Sequence, residues 1–220
     1  MGWKIPTDLS NTFIPPNSYA SSDIICHLAA TNAMTAAPIK AGQSVELQWT
    51  PWPTTHKGPV IDYLANCNGP CETVDKTTLK WFKIDAVGLL DKSITNGYWG
   101  TDQLIANNNS WTVVIPPTIA PGNYVLRHEI IALHAAGSAN GAQNYPQCVN
   151  IAVSSSGTDK PAGVLATTFY TATDPGILFD LYGAFTSYTI PGPAKYSGGV
   201  SISQTMPPKP TASASGIYSV

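Results

Sequence analysis

The stretch RHEIIALH and, just downstream, GAQNYPQC carry a histidine, a glutamine and a tyrosine at strand-like spacing. Successive side chains of a β-strand point to opposite faces. Gln143 and Tyr145 therefore share one face of their strand, while Cys148 takes the other. His134, Gln143 and Tyr145 can converge on one patch, with Cys148 fixing the strand from behind. An imidazole, an amide and a phenol placed together suit a metal site or oxygen chemistry.

The composition limits the partners that the protein can have. The chain has 220 residues, a formal net charge of −2 and only 11% charged residues. A nucleic-acid-binding protein would need a basic patch, so we expect no nucleic-acid partner. A nearly neutral surface rich in hydroxyls and amides suits uncharged ligands such as glycans. No apolar run reaches the length of a transmembrane helix, so we expect no membrane partner either.

The spacing of the strand candidates predicts the fold. The 19 prolines and 18 glycines imply many turns and little helix. Strands are predicted at 44–49, 79–84, 111–115, 123–134 and 149–153, with long loops at 85–109 and 159–193. This pattern favours an all-β, immunoglobulin/fibronectin-III-like antiparallel β-sandwich with long loops. The composition turns to Ser, Pro, Thr, Ala and Gly after Pro193, which predicts a core over 1–193 and a linker or disordered tail over 194–220.

Four cysteines, at 26, 67, 71 and 148, allow three pairings. Cys67 and Cys71 enclose a short turn-forming loop that can bring them together, and Cys26 and Cys148 then pair by elimination. Reduced thiols or a zinc site are the alternatives, although a zinc site would need two close pairs of ligands. Disulfides would place the protein in an oxidising, extracellular setting.

Two further features bear on secretion. The segment Asn108-Asn109-Ser110 matches an N-glycosylation acceptor, which predicts a glycan on Asn108. The first ten residues, MGWKIPTDLS, lack the apolar centre of a signal peptide. We expect a secreted protein whose true N-terminus is absent from this sequence.

Seven motifs occur in order along the chain: SDIICH, VELQWTPWP, GPVIDYLANCNGPCETVDKTTLKWFKI, NNSWTVVIP, APGNYVLRHEIIALH, NGAQNYPQC and YTIPGP. Together they closely resemble the fungal lytic polysaccharide monooxygenases of auxiliary activity family nine, formerly glycoside hydrolase family sixty-one. The resemblance covers about residues 3–193. One short motif would be weak, whereas seven in order are specific. The resemblance also agrees with the disulfides Cys26–Cys148 and Cys67–Cys71.

The resemblance implies a copper site of one ion per chain. In this family two nitrogens come from an N-terminal histidine, a third from a second histidine, and a tyrosine lies axially. His56 matches the second histidine and Tyr145 the axial tyrosine, so these two are the predicted metal ligands. His134 and Gln143 match the pair that hydrogen-bonds the oxygen co-substrate. The remaining histidines, His27 and His128, are interpreted as structural.

The implied activity is oxidation of cellulose or another β-1,4-glucan at C1 and/or C4, using copper, an external electron donor and O2 or H2O2. Tyr182 matches a surface tyrosine that would stack on sugar rings, and Trp3 and Trp99 are weaker candidates for the same role. The protein is expected to be a monomer.

The first histidine of the family pattern is missing, because position 1 is methionine. One histidine and a weak axial phenol make a poor copper site, so this chain is expected to bind copper weakly and to oxidise little. The alternative is a catalytically silent protein that binds or loosens cellulose. A hydrolytic endoglucanase would need two carboxylates flanking one bond, and no pair stands out among the 13 scattered acidic residues.

Overall fold

A computed structural model describes residues 1–6 and 12–204 of the chain. Within those residues it has nine strands and two short α-helices, α1 (Asp23–Cys26) and α2 (Gly100–Ala106). The strands are β1 (Ala37–Lys40), β2 (Ser44–Gln48), β3 (Val60–Asn66), β4 (Trp81–Val87), β5 (Leu89–Asp91), β6 (Tyr98–Trp99), β7 (Ser110–Val114), β8 (Gly122–Ala132) and β9 (Gln143–Ser154). Single 3-10 turns lie at Pro16–Ser18, Lys76–Thr78 and Ala166–Thr168. Neither α-helix has the length and apolar character that a membrane crossing requires.

The strands form two packed layers, which confirms the predicted β-sandwich. The main sheet has the order β1-β9-β8-β3-β4, and β2 pairs with β7 in a smaller sheet. These pairings are antiparallel except for β1, which runs parallel to β9. The sheet is therefore mixed rather than purely antiparallel, because the chain crosses over between β1 and β9 instead of turning back in a hairpin.

The layers are held by apolar side chains on the facing sides of the two sheets. Trp111 and Val113 of β7 belong to one buried cluster with Leu64, Leu126 and Ile130 of the main sheet. A second cluster covers the other side of the main sheet with side chains from α1 and the long loops. Both faces of β3 and β8 are therefore buried, which accounts for their nearly continuous buried runs.

A buried ion pair lies behind the long β8–β9 pairing. Arg127 donates two hydrogen bonds to Glu129, at 2.6 and 3.0 Å. Arg127 also donates to the main-chain oxygens of Ile24 and Ile25, at 2.7 Å each. Glu129 accepts a further hydrogen bond of 2.8 Å from the Asn144 amide of β9. The pair therefore ties helix α1, β8 and β9 together in the interior.

Both predicted disulfides are present. Cys26–Cys148 joins α1 to β9 across 122 residues, and Cys67–Cys71 closes the short loop after β3. The described residues contain no free cysteine. A crosslink that closes so long a loop restricts the unfolded chain strongly, by about 4–5 kcal/mol on a loop-closure estimate.

The structure differs from the sequence expectations at β1, which lies outside the predicted strands, and in three larger features. The first is β3, which was not among the predicted strands. Both of its faces are buried, so its sequence lacks the alternation of polar and apolar residues that marks a strand. The second is the expected loop 85–109, which contains β5, β6 and α2. The third is the expected tail. Residues 194–204 run along the sandwich, where the Tyr196 amide bonds Lys83 O at 2.8 Å and Gln204 bonds the Thr112 main chain twice, at 2.9 Å. Residues 205–220 of that tail lie outside the described part of the chain.

Neutralising Glu129 should destabilise the fold strongly. Glu129→Gln keeps the side-chain shape but leaves the Arg127 charge buried without its counter-ion, which should lower the free energy of unfolding by about 3–5 kcal/mol. Urea denaturation followed by tryptophan fluorescence measures the loss. Glu72→Gln, at a partly exposed position, is the control and should change stability by about 0.5 kcal/mol or less. Equal, small effects of the two substitutions would contradict the structural role of the buried pair.

Candidate functional site

His56 and His134 lie against each other although 78 positions separate them in the sequence. Their rings are stacked, with centroids 3.9 Å apart and planes inclined by 29°. The main chain explains the contact. The Ile131 amide bonds Pro59 O at 3.2 Å and the Leu133 amide bonds Lys57 O at 2.8 Å. The segment before β3 therefore runs beside the end of β8 and places His56 opposite His134.

Gly58 makes this approach possible. A β-carbon at that position would lie 1.9 Å from the main-chain oxygen of Ile131, a distance that no side chain tolerates. The glycine in the sequence HKGPV therefore allows the two segments to meet, and so allows the two imidazoles to stack. His134 itself follows β8, which ends at Ala132, whereas the sequence placed it inside the strand.

Gln143 and Tyr145 lie on one face at the start of β9, as the alternation predicts. They pair with Ala132 and Ile130 of β8, and the Tyr145 hydroxyl donates a 2.7 Å hydrogen bond to Oε1 of Gln143. Cys148 is paired opposite Arg127 on the other face. The strand thus presents an amide and a phenol on one side and is fixed by a disulfide on the other.

Trp52 connects the tyrosine to the histidine pair. Its ring meets Tyr145 edge-on at 5.0 Å and His56 at 5.9 Å, and its indole nitrogen donates to His56 O at 2.9 Å. The Phe13 ring is tilted by 53° to that of Tyr145, with the ring centroids 6.0 Å apart. A cavity of about 160 Å³ opens here. The described residues that line it are Thr12, His27, Trp49, Thr50, Pro51, Trp52, Pro53, His56, Tyr145 and Gln147.

A buried hydrogen-bonded chain supports the aromatic wall of this cavity. Trp49, whose ring lies 5.4 Å from that of Trp52, donates from its indole nitrogen to Nε2 of His128 at 2.9 Å. An indole can only donate, so the proton of neutral His128 is on Nδ1 and is donated to Asp62, 2.7 Å away. Asp62 also accepts from Trp111 at 3.0 Å. His128 is therefore structural, as predicted.

His27 is structural as well. The Leu28 amide donates to Nδ1 of His27 at 2.8 Å, so the proton lies on Nε2, which donates to Thr12 O at 3.0 Å. Both ring nitrogens are used in holding the loop around α1. The structure thus separates two histidines bound within the protein from the two, His56 and His134, that meet beside Tyr145.

Burial favours the neutral form of both stacked histidines. It lowers the pKa of His56 below the usual histidine value, and the neighbouring His134 lowers the pKa of His56 further. Burial also lowers the pKa of His134. Neutral imidazole is the form that binds metals.

The described residues supply some of the ligands of a copper site but not a complete set. Imidazole nitrogen and phenol oxygen are donors that copper accepts, and Nδ1 of His134 is buried without a partner among the described residues. However, no group of three or more His, Cys, Asp or Glu side chains in residues 1–6 and 12–204 is placed to hold a metal ion. A complete copper site needs further nitrogen ligands.

The other predicted site residues lie in different surroundings. Tyr182 is 62% exposed, on a loop held by a hydrogen bond of 3.0 Å from its amide to Asp180. Trp3 and Trp99 are buried, so neither can stack on a sugar at the surface. Asn108 is exposed next to α2. Trp52 and Phe13 had no predicted role. The sequence WPTTH places Trp52 four residues before His56 and could have suggested a contact between these two residues.

Comparisons with known proteins identify the family of the chain. The family model for Auxiliary Activity family 9 (formerly GH61) matches residues 1–189. AA9 family lytic polysaccharide monooxygenase I of Botryotinia fuckeliana is 71% identical over 221 residues, covering 100% of this chain and 82% of that protein. The corresponding enzyme A of Malbranchea cinnamomea is 59% identical over 91% of this chain, and cel61A of Hypocrea jecorina is 60% identical over 90%. The chain spans 60% and 57% of those two proteins.

Solved structures agree on the fold. The extended catalytic domain of H. jecorina LPMO9A, also called EG4, superimposes with a TM-score of 0.88 at 57% identity, covering 93% of this chain and 83% of that one. Cel61B of Hypocrea jecorina, a glycoside hydrolase family 61 member, gives 0.84 at 48% identity, covering 89% and 85%. The match over residues 1–189 and these identities show that the chain belongs to Auxiliary Activity family 9, the family of the lytic polysaccharide monooxygenases.

Proposed function

We propose that the protein is a copper-dependent lytic polysaccharide monooxygenase that oxidises cellulose or a related β-1,4-glucan at C1 and/or C4. The observation that carries this proposal is the contact between His56 and His134 beside the Tyr145–Gln143 hydrogen bond. His56 and Tyr145 line the same cavity and both contact Trp52, and each of the four side chains matches a role in the family pattern. Family membership supplies the reaction class.

Each residue has a distinct part in this proposal. His56 and Tyr145 hold the copper ion. When bound, copper supplies the activation of O2 or H2O2 with electrons from an external donor. Gln143, already oriented by Tyr145, and His134, whose Nδ1 is buried without a partner among the described residues, offer hydrogen bonds to the co-substrate. Trp52 and Phe13 flank Tyr145 and restrict the directions from which water reaches it.

The remaining ligands of the ion are the first histidine's amine and imidazole, which the family pattern places at the N-terminus. A core over about 1–193 would carry the site, and secretion is supported by the two disulfides. A glycan on Asn108 is compatible with the exposure of that side chain.

A second candidate is a catalytically silent protein that binds or loosens cellulose. It is favoured by one observation, that the described residues offer no set of three metal-binding side chains. The two candidates differ in whether oxidised sugar products appear when copper and a reductant are supplied to the protein with cellulose.

Substitutions of the two stacked histidines should separate copper binding from oxidation. His56→Ala removes a proposed ligand and should weaken copper binding by at least about tenfold, since one ligand bond is lost. His134→Ala should leave copper affinity within a few-fold while reducing the formation of C1- or C4-oxidised products. Titration calorimetry and product analysis on cellulose measure the two effects.

Copper affinity and oxidised products are measured for two proteins, this chain and a longer form that begins with histidine. The longer form should bind copper by orders of magnitude more tightly, because it has two more nitrogen ligands. Comparable copper affinities of the two forms would contradict the proposed ligand set. Copper-loaded longer protein that yields no oxidised sugar would favour the silent candidate.

Tyr182 should contribute to cellulose binding through its ring. Tyr182→Ala should weaken adsorption to cellulose, because it removes an exposed aromatic surface on which a sugar ring can stack, whereas Tyr182→Phe should bind nearly as the parent does. Depletion assays on microcrystalline cellulose provide the affinities. If the alanine variant adsorbs as well as the phenylalanine variant, the ring has no part in binding.

A further inference from the structure

A polar cleft lies at the end of the main sheet opposite to the candidate copper site. The copper site is near Ala132 at the end of β8, and the cleft is beside Gly122 at its beginning. The ten steps from Gly122 to Ala132, at about 3.4 Å each, separate the two by roughly 34 Å along the strand. The cleft has a volume of about 420 Å³, within the roughly 300–1,000 Å³ range typical of small-molecule sites.

The cleft carries positive charge and amides. Lys80 and Lys160 line it together with Asn66, Asn68 and Asn123, and no aspartate or glutamate is among the described residues that line it. Both lysines are exposed, so their ammonium groups remain hydrated and free to meet a ligand. In a protein of net charge −2, two cations without a lining carboxylate make this a locally attractive place for an anion.

The asparagines add groups that recognise hydroxyls. An amide has two donors and two acceptor lone pairs. Asn123 uses one donor on Gly69 O at 3.0 Å, so its side chain has a donor and its oxygen left for a ligand. Asn66 accepts from the Asn68 main-chain amide at 2.7 Å and also bonds the Tyr124 hydroxyl, so less of its capacity remains. Pro121 and Pro161 provide apolar surface at the rim, above the buried rings of Phe82 and Tyr124. Paired amides with apolar walls suit a polyhydroxylated ring.

The main chain around the cleft is fixed. The Cys67 amide donates to Asn123 O at 2.9 Å, and the Cys67–Cys71 disulfide closes the loop that carries Asn68. The Trp81 amide next to Lys80 bonds Val164 O at 2.8 Å, and the Ala120 amide bonds Asp159 O, next to Lys160, at 2.8 Å. A ligand would therefore meet a cleft that is already formed, which reduces the entropy lost on binding.

We propose that this cleft is a second saccharide site, specific for sugars that carry a carboxylate. The lysines would bind the carboxylate of a uronic acid unit, and the asparagine amides would bind its ring hydroxyls. A neutral glucan offers no group for the two ammonium ions, so the cleft would select an acidic polysaccharide. Such a site would hold the protein on mixed, acid-containing glycans without using the copper site.

Binding of a trigalacturonate to the copper-free protein tests the proposal. Titration calorimetry at low salt should detect binding of the acidic trisaccharide and none, or far weaker binding, of cellotriose. The double variant Lys80→Gln/Lys160→Gln should bind the acidic sugar about tenfold more weakly or worse, since charge-assisted hydrogen bonds are lost. Lys40→Gln/Lys92→Gln removes two exposed lysines that do not line the cleft and should bind as the parent does.

Three outcomes would overturn the proposal. The parent protein could fail to bind the trigalacturonate, or the control double variant could lose as much affinity as the cleft variant, which would indicate general charge attraction. Inorganic sulfate could also displace the sugar at equal concentration, which would indicate an anion site without saccharide selectivity. None of these measurements uses copper or oxidation, so their failure would be distinct from a failure of the proposed monooxygenase activity.

Discussion

The antiparallel pairing of β8 with β9 is the interaction on which the rest of the structure depends. It runs through eleven residue pairs, from Gly122 opposite Val153 to Ala132 opposite Gln143. Because side chains alternate along both strands, a slip of one residue would move Gln143 and Tyr145 to the other face. The register is held on the back of the sheet by the Arg127–Glu129 pair and by the Cys26–Cys148 disulfide. The buried charges cost free energy to desolvate, and their multiple hydrogen bonds offset that cost while fixing one arrangement of strands.

The same framework explains how a histidine from a loop reaches this strand pair. Hydrogen bonds between residues 57–59 and 131–133 continue the pairing of β3 with β8 beyond the start of β3, and Gly58 permits the close approach. The two histidines thus lie on irregular continuations of regular strands, whereas Gln143 and Tyr145 lie at the start of β9. The side chains of the site are fixed by neighbouring strands and can still face solvent, which a residue in the middle of either strand could not do.

The sequence was sufficient for the fold class, the cysteine pairs and the shared face of Gln143 and Tyr145, because each depends on local periodicity or on a short loop. It was insufficient for β3, whose two buried faces remove the alternation that marks a strand. It also could not predict that residues 194–204 pack along β4 and β7, since a Ser/Pro/Thr-rich composition indicates a linker. The contact of Trp52 with Tyr145 arises from tertiary packing, so no local pattern reports it.

Hydrogen-bond occupancy distinguishes the four histidines in a way that their sequence positions do not. His27 and His128 each have one nitrogen accepting and the other donating within the protein, which fixes their tautomers and leaves no nitrogen for a metal. Nδ1 of His134 is buried without such a partner among the described residues. A buried polar nitrogen without a partner costs free energy, and a co-substrate that bonds this nitrogen, as proposed, would offset that cost. The hydrogen-bonded groups from Asp62 through His128 to Trp49 complete the contrast, because they support the wall next to the site in which Nδ1 of His134 lacks such a partner.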